Sequence, residues 1–295
     1  MSASTLCPRE CHVDRSSGKK GFCGMDGTIY LARAALHMWE EPCISGTKGS
    51  GAVFFSGCGL RCCFCQNHDI AIGSRGLAVS VERLGEIFLE LKEKGAANIN
   101  LVTGAHYVPQ IINALDIAKE NGLTLPILYN CGGYESIQTI KMLDGYIDIY
   151  MPDMKYFDDK YAIKYSSAPN YFGTAAAALN EMYSQVGDAE LDENGIMKKG
   201  MLVRHLMLPH LLFDTKKIMD YLRKTYGDKI YISLMSQYTP MPVVENIPEL
   251  NKKLNPKQYE TMIEYCIEHG MENVFIQEGE AASESFIPEF YDRGE

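Results

Sequence analysis

From Gly51 onward, short apolar runs alternate with amphipathic segments of helical period, and this alternation constrains the chain more than any other feature. It predicts strands at Ala52–Ser56, Ile99–Thr103, Ile127–Asn130, Ile147–Met151, Leu202–Leu208 and Ile230–Met235, with a seventh at Val274–Gln277. Runs this uniformly apolar suit strands covered on both faces, and helices between them make the crossovers that pair strands in parallel. The clearest helix follows Ser80: Val81, Leu84, Ile87, Phe88 and Leu91 share one face, with Ser80 placed as N-cap and Gly95 at the far end. Pro109 and Pro256 fall where a first helical turn tolerates proline, the latter behind Asn255 as cap. No break in composition separates these units. The chain is therefore expected to be α/β, a partial (β/α)6 barrel over residues 51–295. Residues 1–50 are expected to form an irregular, cysteine-containing N-terminal extension, with a short helical candidate from Tyr30 to Trp39. Residues 187–200 predict a solvated loop or hairpin between units.

Thirty-eight acidic against twenty-eight basic side chains leave a formal charge of −10, which argues against nucleic acid as partner, where positive patches supply the affinity. No apolar run approaches the ~18 residues of a membrane span, and the opening residues carry no apolar export segment. A cytoplasmic chain without a membrane partner is expected. Ten cysteines in such a chain should stay reduced and serve metals or catalysis, so their spacing matters more than their number.

Directly after the first expected strand comes Ser56-Gly57-Cys58-Gly59-Leu60-Arg61-Cys62-Cys63-Phe64-Cys65-Gln66-Asn67. Cys58, Cys62 and Cys65 make a C-x3-C-x2-C triplet in a loop compact enough to wrap three thiolates around one cluster. Cuboidal iron–sulfur clusters normally take four thiolates, so three leave one iron open to a substrate or cofactor. The alternative is a four-thiolate zinc site including Cys63, but zinc sites usually draw on two separated pairs, and Cys62 and Cys63 are adjacent.

This spacing resembles the radical S-adenosylmethionine (radical SAM) superfamily, with Phe64 at its aromatic position before the last cysteine. The likeness to pyruvate formate-lyase activating enzyme homologues extends over nearly the whole chain: Cys7-Pro8-Arg9, Glu40 to Gly46, Gly49-Ser50-Gly51, the cysteine loop, His106-Tyr107, Pro152-Asp153-Met154-Lys155 and Gln237-Tyr238. The resemblance implies a [4Fe–4S] cluster on Cys58, Cys62 and Cys65, S-adenosylmethionine chelated to the open iron, and a 5′-deoxyadenosyl radical that abstracts hydrogen from a substrate. It also implies an electron donor such as flavodoxin or ferredoxin.

Cofactor-binding groups are then expected at the strand ends. Where the family often carries Gly-Gly-Glu, this chain has Thr103-Gly104-Ala105-His106, which keeps a glycine for close backbone approach but lacks the carboxylate, leaving the ammonium to Thr103 or backbone carbonyls. Asn130 is a candidate ribose or carboxylate partner. Neighbouring Cys131 is a hydrogen-atom donor, an extra ligand or simply packed, and His106 is a site residue or a structural histidine. Asp153-Met154-Lys155 resembles the Asp-x-Lys segment of activating enzymes that contacts the cofactor: Asp153 to hold ribose hydroxyls or the ammonium, Lys155 to neutralise the carboxylate. Arg204 binds a carboxylate at the barrel mouth or pairs with a core acid. His205 is left without a role.

Cys7, Cys11, Cys23 and Cys43 either furnish a second metal or cluster or stay unliganded. The leading functional expectation is hydrogen abstraction from a protein or peptide, as in a glycyl-radical activase, because a barrel without a sizeable cap leaves its mouth open to an extended segment. The alternatives are radical chemistry on a small metabolite assisted by Cys131 or Tyr129, and a non-catalytic iron–sulfur carrier.

Overall fold

The structure is a computed structural model that describes residues 5–277 and 290–291; the remainder of the expected 51–295 barrel lies outside the described residues. In chain order the strands are β1 (Ile29–His37), β2 (Ser50–Phe55), β3 (Leu77–Val79), β4 (Ile99–Val102), β5 (Ile127–Cys131), β6 (Ile149–Pro152), β7 (Glu190–Leu191), β8 (Met197–Leu206), β9 (Tyr231–Met235) and β10 (Val274–Ile276). The helices are α1 (Pro42–Ser45), α2 (His68–Ala71), α3 (Val81–Glu93), α4 (Val108–Glu120), α5 (Ile137–Met142), α6 (Asp159–Ser166), α7 (Tyr171–Val186), α8 (Leu212–Tyr226) and α9 (Pro256–Glu268). Parallel ladders join β2, β4, β5, β6, β8, β9 and β10 in that spatial order, with helices in most of the crossovers. Among the described residues no ladder closes β10 onto the opposite edge, so the barrel is partial.

Those parallel strands lie where the apolar runs place them, because strands covered on both faces leave a nearly uninterrupted apolar signal. β2, β4, β5 and β6 are buried along their whole length. Outside the sheet, α3 and α4 bury Leu84, Phe88, Leu91, Ile111, Ala114 and Leu115 against it. Ser80 Oγ accepts the Arg83 N–H at 3.1 Å, the cap the sequence predicts; losing such a cap costs about 1 kcal/mol. Asn255 caps α9 through the Lys257 N–H at 3.0 Å.

The extension departs from its expectation. Tyr30 to Trp39 is no helix: Ile29–His37 is a strand, antiparallel to β2 and β3, with a bulge between Leu31 and Arg33. Its Leu, Ala and Arg residues favour a helix locally, but the open edge of β2 offers a full ladder, and pairing overrides propensity. Residues 187–200 form a hairpin in which β7 pairs with the start of β8, so β8 begins at Met197 rather than Leu202. Among the described residues no helix is long and apolar enough to cross a membrane.

Candidate active site

The C-terminal ends of the parallel strands open onto a cavity of about 700 Å³, a size that accommodates a cofactor with part of a substrate. Cys58, Cys62, Cys65 and Phe64 line it from the loop after β2, Thr103 from just after β4, Asn130 and Cys131 from β5 with Gly132 just after it, Asp153 and Lys155 from just after β6, and Arg204 from β8. Cys63 is not on its wall. The Cys63 N–H donates to Tyr165 O at 2.8 Å, and its thiol, pushed up to about 11 by burial and by Cys62, also feels the charges of Glu249 and Lys164.

The loop is held by contacts that leave its thiols facing inward. Gly57 has φ +89°, and a Cβ there would lie 2.3 Å from Met25 Cγ, so only glycine makes the turn out of β2. Arg61 donates to Cys58 O at 2.8 Å and Leu60 O at 3.0 Å, and its own N–H donates to Ser166 O at 3.0 Å. The Leu60 N–H donates to Cys58 Sγ at 3.3 Å, and Ser166 Oγ donates to Cys62 Sγ at 3.0 Å. Burial pushes the Cys58 and Cys65 thiols up to about 12, and Cys62 moves the same way. Buried thiols that repel one another as thiolates are poor nucleophiles, whereas bound iron deprotonates them outright.

Opposite them stands a cation. Burial alone would lower the Lys155 ammonium, but Asp153 and the Cys62 and Cys65 thiolates hold it above its ordinary value. Its Nζ lies 2.5 Å from Asp153 Oδ2. For Asp153 burial works in the raising direction and is outweighed by Lys155 and Arg204, so the carboxyl stays below its usual range. Arg204 donates Nε to Asp153 Oδ1 at 3.2 Å, Nη1 to Glu40 Oε2 at 3.1 Å and Nη2 to Asn130 Oδ1 at 2.8 Å. Of its two expected roles, Arg204 therefore takes the pairing with buried acids.

Thr103 has φ +61°, a left-handed conformation that is an outlier for a β-branched residue and costs about 1–3 kcal/mol. Its N–H donates to Asn130 O at 2.8 Å, which ties two cavity walls together. Gly104 lies behind that wall: a Cβ there would meet Ile111 Cδ1 at 2.6 Å, so its bareness serves helix packing. His106 is structural in its contacts. It is buried, bonded through Nε2 to Ser56 O at 2.7 Å, and pushed down to about 4 by burial, hence neutral.

Two carboxylates missed in the sequence enter the same cavity. Glu40 and Glu41 belong to a motif noted for its likeness but given no chemical role; both line the cavity, and Glu41 Oε2 is buried without a hydrogen-bond partner. Thr239 Oγ1 is orphaned on the same wall. Orphaned buried polar atoms around a cavity are what a polar ligand would satisfy. The donor set thus fits a thiolate-bound cluster beside a zwitterionic cofactor. Among the described residues, no three Cys, His, Asp or Glu side chains close on a single metal ion.

Behind Cys131, Glu135 is buried and accepts from Tyr129 Oη at 3.3 Å, with Cys131 as a second partner. Burial pushes its carboxyl up to about 8. An acid raised on folding holds its proton in the folded chain while the unfolded chain loses it, so its contribution is full below about pH 4.5 and is lost by pH 8. Glu135→Gln should therefore gain on the wild type by a few kcal/mol between those limits, read from urea unfolding at a series of pH values. Parallel stability curves would show that Glu135 is already ionised in the fold.

The fold is a partial parallel (β/α) barrel, here with a three-cysteine loop at the mouth. Among solved structures, anSMEcpe with bound AdoMet and a peptide matches with a TM-score of 0.51 at 11% identity, over 72% of this chain and 57% of that one. In sequence, an uncharacterized protein of Methanocaldococcus jannaschii is 25% identical over 278 residues, 92% of this chain and 76% of that protein. Pyruvate formate-lyase-activating enzyme of Clostridium pasteurianum is 30% identical over 115 residues, 36% of this chain and 46% of that enzyme. The chain thus spans less than two thirds of the solved structure and of the activating enzyme. No family model matches.

Proposed function

We propose that the chain is a radical SAM enzyme that cleaves S-adenosylmethionine reductively and abstracts hydrogen from a protein or peptide. The observation that carries this is the sorting of the four loop cysteines: Cys58, Cys62 and Cys65 face the cavity beside Asp153 and Lys155, and Cys63 does not. Together, a [4Fe–4S] cluster and S-adenosylmethionine bound there would supply one-electron carbon–sulfur cleavage and a hydrogen-abstracting radical.

The protein's part is binding, orientation and exclusion of water. Lys155 balances thiolate charge on one side and offers its ammonium to the methionyl carboxylate on the other. Asp153, kept ionised by Lys155 and Arg204, accepts from an ammonium or from ribose hydroxyls. Thr103 and Asn130 offer polar groups at adjacent strand ends, and Phe64 packs edge-on to Tyr238, centroids 6.3 Å apart, as an apolar cover. A peptide substrate is supported by the partial likeness to an activating enzyme and by the peptide bound in anSMEcpe. An electron donor of the flavodoxin or ferredoxin kind and a cytoplasmic location belong to the same proposal.

The test is anaerobic reconstitution with iron and sulfide, reduction with dithionite, and assay for 5′-deoxyadenosine, with the Cys58→Ala/Cys62→Ala/Cys65→Ala variant as control. Production by the wild type alone supports the reading; an intact cluster with no product would favour an iron–sulfur carrier. Asp153→Ala and Lys155→Ala should each keep the cluster and weaken S-adenosylmethionine binding about tenfold or more, the worth of one charged hydrogen bond. Equilibrium dialysis measures this, and loss of the cluster in either variant would make the segment structural.

A further inference from the structure

Residues 5–28 contain one short 3-10 turn and no other regular element, yet they follow a single path over the underside of the radical loop. Arg9 Nε donates to Gly59 O at 2.7 Å, Thr139 Oγ1 to Leu6 O at 2.7 Å and Gln110 Nε2 to Gly27 O at 3.1 Å. Its only fully buried apolar side chains are Cys23 and Met25. An irregular segment of this length with so little core of its own needs a staple, and reduced proteins use metals for that purpose.

Its three cysteines lie near one another. Cys7 Sγ lies 3.9 Å from where a Gly59 Cβ would stand, directly beneath the loop of Cys58. Cys11 Sγ accepts the Phe22 N–H at 3.2 Å and lies 3.4 Å from where a Gly21 Cβ would stand. Arg15 Nη2 is 2.7 Å from that same point and donates to Cys23 Sγ at 3.3 Å. Cys11 and Cys23 both stand near enough to Cys7 for their charges to act on it. Cys43 is elsewhere, packed with Ile44, Leu128 and Met197, so the four N-terminal cysteines divide three and one.

We propose that Cys7, Cys11 and Cys23 bind a second iron–sulfur cluster, packed beneath the loop of Cys58, Cys62 and Cys65. Like the first triplet, these thiols do not converge on a single ion. A cuboidal cluster asks less convergence of them, since each thiolate binds a different iron. A side chain at Gly21 would run into the Arg15 guanidinium at 2.7 Å before Cys11 at 3.4 Å, and one at Gly59 would rest in ordinary contact with Cys7 at 3.9 Å.

The test uses the full chain, reconstituted anaerobically with iron and sulfide and analysed for both, for zinc, and for thiolate-to-iron absorption. The Cys58→Ala/Cys62→Ala/Cys65→Ala variant should keep about half the wild-type iron and sulfide and its own absorption band. Adding Cys11→Ala should remove both. A folded variant, judged by far-ultraviolet circular dichroism and gel filtration, that holds no iron overturns the proposal, as does zinc in place of iron. Should that variant fail to fold, Cys11→Ala alone decides: loss of about half the iron with 5′-deoxyadenosine formation retained supports the second cluster, and an unchanged iron content overturns it.

Discussion

Cys58→Ala, Cys62→Ala or Cys65→Ala is expected to abolish the cluster at the cavity and all S-adenosylmethionine cleavage, while Cys63→Ala keeps both. A loop with three inward thiolates has no spare ligand. Cys63 cannot substitute for a neighbour, because its N–H is fixed on Tyr165 O at 2.8 Å and its thiol lies off the cavity wall. Turning it inward would break that bond and displace Cys62, whose Sγ accepts from Ser166 Oγ at 3.0 Å. Electron paramagnetic resonance of the reduced protein with and without S-adenosylmethionine reports the cavity cluster specifically, alongside the yield of 5′-deoxyadenosine. An equal loss in Cys63→Ala would overturn the assignment of ligands.

What the sequence revealed and what it hid have the same physical origin. Strands such as β4, with Ile99, Asn100, Leu101 and Val102 all buried, leave a local signal that needs no knowledge of partners. The cysteine loop is legible for a similar reason, since its ligands lie within eight consecutive residues. β1 was hidden because its residues favour a helix and only the neighbouring edge makes them a strand. Glu40 was hidden differently: its bond to Arg204 spans 164 positions, and nothing near either residue announces it. Asp153 and Lys155 fall between these cases. Strand alternation puts them on one side of the chain, but not the additional claim of Arg204 on Asp153.

Arg204→Ala is expected to cost about 3–5 kcal/mol of folding stability, because it strands acids that the fold has already removed from water. Glu40 is 8% exposed and keeps only the Asn100 amide at 3.0 Å once Arg204 is gone. Asp153 retains Lys155, which must then serve it alone and can no longer lean toward a ligand. Lysine at 204 should recover little, since a single ammonium cannot reproduce three bonds made in three directions by one planar fork. Adding Glu40→Gln to Arg204→Ala should recover part of the loss, because the stranded charge is removed. The depressed Asp153 carboxyl sets the pH dependence: its contribution is present above the ordinary carboxylate pKa and is lost as pH falls through the folded value. The gap between wild type and Arg204→Ala should therefore narrow in acid. Urea unfolding of the four proteins at neutral and acid pH measures all of this, and a neutral-pH deficit below about 1 kcal/mol would mean that water replaces the guanidinium and that the cavity is wetter than its burial implies.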